Sequence, residues 1–171
     1  MRLRLLALLL VSLPVAAVGV AAASQGQSDL AEARQATAAF HDPGAAAAAG
    51  YSVRVADAAG LTCIAQPGEG AMGVHMLDPT LLDETIDATA PEALVYEPRN
   101  DGTLKLVALE YLVFVDAWQG TEPPKLFGRT FDLVPSPNRY GLPPFYALHA
   151  WIWKPNPSGM LYAWNPRVDC G

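Results

Sequence analysis

Basic charge, histidine and cysteine are all scarce in this 171-residue chain, and each scarcity removes a class of function. Eleven Lys and Arg stand against 17 Asp and Glu, a net charge of −6. No three basic residues adjoin, so the clustered cations that grip phosphate are missing and nucleic acid is not an expected partner. The three histidines form no His-x-His and no HExxH, so no single segment clamps a metal. No Gly-x-Ser-x-Gly elbow offers a hydrolase nucleophile. The glycine-rich stretch Gly68 to Gly73 has no phosphate-binding lysine and reads as a turn into a strand. There is no CxxC pair, no solenoid repeat and no linker composition that would divide the chain. Proline inside Asn156-Pro157-Ser158 removes a glycosylation signal.

What is present begins at the N-terminus. Arg2 and Arg4 precede an apolar run from Leu5 to Val20, and Ala21-Ala22-Ala23 supplies the small residues of a cleavage site. Residues 1–23 therefore read as a cleaved signal peptide and 24–171 as a single globular domain. The run is short and lacks a stop-transfer cluster, so no membrane anchor is expected after cleavage. The protein is expected to be exported, either secreted or held in the periplasm or cell envelope. In such a compartment Cys63 and Cys170, 107 positions apart, are expected to pair. A loop of that length gives a chain-entropy stabilisation of about 4–5 kcal/mol.

The downstream pattern is α+β. Asp29 is a cap candidate for a first helix with Leu30, Ala33, Thr37 and Phe40 on one stripe. Asp42, Pro43 and an alanine run to Ala49 predict a second, ended by Gly50. From Tyr51 the sequence turns to short strands with Pro/Gly punctuation: 51–56, 61–66, 71–77, 93–97, 104–116, 126–131, 144–153 and a short 160–164. The expected architecture is an antiparallel β-sheet or small β-barrel with an N-terminal helical segment and one disulfide. The strand 104–116 reads as central and apolar on both faces. Leu104, Leu106, Ala108, Leu112 and Phe114 fall on one side, and Val107, Leu109, Tyr111, Val113 and Val115 on the other. The helices are expected to supply cover.

Three polar residues sit where a core would not want them. Glu110 lies mid-strand between Ala108 and Leu112 on its own face. His149 lies in Phe145–Trp153, and His75 in Met72–Leu77. A buried lone carboxylate is costly unless it is paired, protonated or bound to a cation. Two imidazoles and a carboxylate from separate strands form the usual donor set for one divalent transition metal, Zn, Cu or Fe, with open positions for water or substrate. Three readings of His75, Glu110 and His149 stay open: a metal site, metal-free acid–base chemistry, or a hydrogen-bonded pair that only satisfies the core. Glu97 and Tyr111 are candidates to orient or support a ligand, and His41 is a candidate fourth ligand or a helix-end cation. Trp151 and Trp153, two apart on one strand, offer an alternative: a platform in an aromatic-lined cleft for a small apolar or carbohydrate ligand. The partner is in either case a small molecule or a metal ion.

Several segments are also familiar as strings. Phe40-His41-Asp42, Gly70-Ala71-Met72-Gly73-Val74-His75, Pro91 to Pro98 (PEALVYEP), Leu126-Phe127-Gly128 and Leu148 to Lys154 (LHAWIWK) resemble a family of uncharacterised secreted bacterial proteins. The resemblance spans most of the expected mature chain. It implies that the segments holding His41, His75, Glu97 and His149 belong to a shared pattern. It implies no activity or ligand set.

Overall fold

The computed structural model describes residues 17–171. The expected signal peptide lies largely outside them. Helix α1 (Ala17–Thr37) runs through the expected cleavage point and through Asp29, which is an interior helical residue and not a cap. The Ala- and Gln-rich stretch ahead of Asp29 has high helix propensity and gives the helix no reason to start there. Phe40 and His41 belong to a 3-10 turn, Ala38–His41. Helix α2 (Pro43–Ala48) follows the sequence closely. The Asp42 carboxylate accepts from the Gly44 N–H at 2.9 Å, and Pro43 occupies the first turn. No described helix is long and apolar enough to cross a membrane.

Nine strands follow: β1 (Val53–Arg54), β2 (Cys63–Gln66), β3 (Gly70–Leu77), β4 (Ala93–Pro98), β5 (Leu104–Phe114), β6 (Lys125–Leu126), β7 (Arg129–Thr130), β8 (Asp132–Val134) and β9 (Phe145–Ala150). Seven of them form one antiparallel sheet in the order β1-β3-β4-β5-β9-β8, with β2 also paired to β3; β6 and β7 form a separate hairpin. The sheet is open, so the barrel alternative is not realised among the described residues. The expected strand 126–131 resolves into the tight β6–β7 turn at Phe127-Gly128, both with positive φ, and then β8. The expected strand 160–164 is irregular, with a single bridge from Asn165 to Ala71.

β5 is central, and a bulge decides which of its residues share a face. Val95 opposes Ala108 and Tyr96 opposes Leu106, so Val107 is one residue too many for β4. An inserted residue reverses the alternation beyond it. Leu106 therefore joins Leu109 and Tyr111 on one face, with Leu94, Tyr96 and Leu148. Val107 and Ala108 lie together on the other, with Val95 and Trp151. The expected two-face assignment is corrected at Leu104, Leu106 and Val107.

The cover is also unequal. Leu30 and Ala33 of α1 and Ala46 of α2 pack with Phe127 and Phe131 on the first face. No helix among the described residues covers the second face. That face is covered by irregular chain: Trp151 and Val168, with Cys170 against them, and the segment 135–144. The Cys63–Cys170 disulfide, with Cα atoms 5.6 Å apart, fastens the chain end to β2 beside β3.

Candidate metal centre

His75, Glu110 and His149 all project from the second face. Glu110 and His149 are direct partners across β5 and β9. His75 stands two strands from Glu110, with β4 between. There Ala93 opposes Glu110 and Val95 opposes His75. Strands lie about 4.8 Å apart, so β3 and β5 are nearly 10 Å apart. Two side chains bridge that gap only over something short, and Ala93, fully buried, is the short residue beneath them. Gly73 lets β3 settle on β4 just before His75: its φ is +110°, and a Cβ there would lie 2.5 Å from the Tyr96 carbonyl oxygen.

The donors converge. His75 Nε2 lies 3.2 Å from His149 Nε2 and 3.2 Å from Glu110 Oε2. His149 Nδ1 lies 3.9 Å from Glu110 Oε1, too far for a hydrogen bond. One donor atom from each residue falls within 4.8 Å of the other two, the one such group among the described residues. The histidines are each 3 % exposed, and the Glu110 side chain 12 %.

Burial sets the protonation. It lowers His75 to about 4, against the opposing pull of the Gly73 carbonyl. It holds His149 well below the ordinary imidazole value, helped by His75. It pushes Glu110 up to about 8. At neutral pH the group is thus two neutral rings and a protonated acid.

Hydrogen bonding does not satisfy this arrangement. Nε2 of His75 carries one proton or one lone pair, and it faces two polar atoms at equal distance. Its Nδ1 is buried with no hydrogen-bond partner, although the Gly73 backbone acts on the ring. The spacing also admits a cation. Donors at 2.0–2.1 Å around a tetrahedral ion stand about 3.3 Å apart, close to the two 3.2 Å separations. The residues could therefore hold one metal ion, and three protein donors would leave positions open.

The other nominated residues are elsewhere. Tyr111 points to the helix-covered face, where its hydroxyl donates to the Ala88 carbonyl at 2.8 Å. Glu97 is ion-paired with Lys154 near the far end of β4. His41 packs edge-on against Trp153 with ring centroids 4.4 Å apart. None of the three reaches the group. Trp151 and Trp153 form no shared platform. β9 ends at Ala150, so the alternation stops there. Trp151 is buried near His149, and Trp153 packs with the helix-side core, its indole N–H donating to Thr37 Oγ1 at 3.3 Å.

Three polar residues escaped the sequence reading, two beside the site and one on the other face. Tyr140 and Arg139 come from the Pro-rich connection 135–144, which has no periodicity to reveal where its side chains point. Arg139 donates to Asp57 Oδ2 at 3.0 Å and to the Ala65 carbonyl at 3.1 Å, and its buried Nε has no partner. Glu92 is buried on the helix side and accepts from the Leu112 N–H at 2.9 Å; burial pushes it up to about 8. It is in phase with Leu94 and Tyr96, a signal that was legible. No protein-family model, curated protein or solved structure matches the chain.

Proposed function

We propose that this chain is an exported protein that binds one divalent transition metal ion, Zn, Cu or Fe, through His75, Glu110 and His149. The open positions take water or a substrate, as in a small metalloenzyme. One observation carries this reading: two imidazole Nε2 atoms stand 3.2 Å apart in a buried site, with a carboxylate oxygen 3.2 Å from one of them. Neutral imidazoles are ready ligands, and Glu110 becomes one by releasing its proton when the cation arrives.

Export as a single domain, residues 24–171, is supported by the leader-like N-terminus. The disulfide suits an oxidising compartment. The acidic balance favours an ion or small molecule as partner over nucleic acid.

The test is element analysis of untagged protein loaded with Zn²⁺ or Cu²⁺ and freed of excess. One ion per chain is expected for the wild type, with His75→Ala and Glu110→Gln retaining little. A wild-type protein that leaves the column metal-free contradicts the proposal. N-terminal sequencing of exported protein tests the leader, with Ser24 as the expected first residue.

A further inference from the structure

Glu110 stands between two cavities of different character. The larger, about 430 Å³, is bordered by Asp132, Asn138, Arg139 and Tyr162 beside His149. The smaller, about 140 Å³, is bordered by Leu77, Leu82, Leu112 and Phe114. Its only polar wall is His75, Glu110 and Tyr140, so every polar group in it is at or beside the donor cluster.

Size and chemistry define an occupant. An engineered enclosed apolar cavity of about 150 Å³ takes up benzene, so this half-open pocket has room for a single six-membered ring. Tyr140 borders both cavities, beside Glu110 in each. Among the described residues the Tyr140 hydroxyl donates to Met72 Sδ alone, at 3.8 Å on the side of the larger cavity, and sulfur is a weak acceptor that an oxygen would displace. A doubly charged ion held by one carboxylate and two neutral rings keeps one positive charge in a buried setting. A ligand with a single negative oxygen group neutralises it.

We infer that the smaller cavity binds a one-ring aromatic molecule bearing one anionic oxygen head group. The ring lies among Leu77, Leu82, Leu112 and Phe114, and the head meets the ion and the Tyr140 hydroxyl. This rests on the metal reading above and gives it a ligand class.

The test uses full-length protein loaded with Co²⁺, whose visible spectrum reports its ligands. Benzoate, acetate and 2-naphthoate are titrated in turn. Benzoate is expected to bind at least about tenfold tighter than acetate, because only its ring leaves water for the cavity. Naphthoate, too large by a ring, is expected to lose that gain. Leu82→Trp, which fills the cavity from a half-buried loop, is expected to erase the benzoate preference and leave acetate unchanged. Tyr140→Phe is expected to weaken both carboxylates while cobalt uptake persists. Cobalt uptake with no preference for benzoate over acetate, or with naphthoate bound as well as benzoate, overturns this inference alone. Failure to take up cobalt overturns it together with the metal reading.

Discussion

The two faces of the central sheet are built from the same strands and differ in nearly everything else. One is sealed by α1 and α2 over Leu94, Tyr96, Leu106, Leu109 and Tyr111, all fully buried. The other is roofed by irregular chain, keeps cavities, and carries His75, Glu110 and His149. Regular elements close-pack and exclude water, whereas a loop roof follows its own backbone and leaves gaps. The comparison separates what stabilises this molecule from what is available for chemistry.

The largest expected effect strikes the roof of the open face. The Cys63→Ser/Cys170→Ser variant frees the chain end and is expected to lose about 4–5 kcal/mol, read by denaturant unfolding. Leu109→Ala on the sealed face comes next. It is expected to cost about 2–5 kcal/mol in the same assay, with metal stoichiometry per folded chain unchanged. Its counterpart on the open face, Glu110→Leu, is expected to leave the stability of metal-free protein unchanged or raised, since it removes a buried ionisable group, yet to abolish metal retention. A severe loss of stability in that variant would erase the distinction between the faces.

Acidity sharpens the comparison further, because each face holds one carboxyl that burial pushes up. Glu92 and Glu110 are both pushed up to about 8 by burial. Folded protein therefore holds those protons more tightly than unfolded protein. The stabilisation is full below the ordinary carboxyl value of 4.5 and is lost as pH rises to about 8. The histidines act in the opposite sense. His75, lowered from 6.5 to about 4, contributes fully above 6.5 and loses its contribution as pH falls. Between pH 6.5 and 8 only the carboxyls act, so metal-free stability is expected to fall with rising pH, by up to about 1.4 kcal/mol per pH unit for each. Glu92→Gln and Glu110→Gln should each remove about half of that slope, measured by urea unfolding across the range.

The smallest effect is expected at Glu97. Glu97→Gln breaks the pair with Lys154, should cost below about 1 kcal/mol, and should leave metal affinity unaltered.

The sequence was informative wherever period or punctuation carried the signal. The Asp42-Pro43 cap, the disulfide and the in-strand placement of His75, Glu110 and His149 were all legible. Faces were not, because a strand's alternation counts every residue equally and nothing marks Val107 as surplus. That extra residue leaves Leu104, Leu106 and Val107 on faces opposite to those the count gives. Trp153 misled for a related reason: alternation was carried past Ala150, where pairing stops. Tyr140 was invisible because a loop has no period.

The most direct measurement is the electron paramagnetic resonance spectrum of the protein with one equivalent of Cu²⁺. The account predicts a single species with hyperfine structure from two equivalent imidazole nitrogens, reduced to one by His149→Ala and lost from the site in the His75→Ala/His149→Ala variant. A spectrum of oxygen ligands alone, or one that those substitutions leave unchanged, would contradict the convergence of His75, Glu110 and His149 on a single ion.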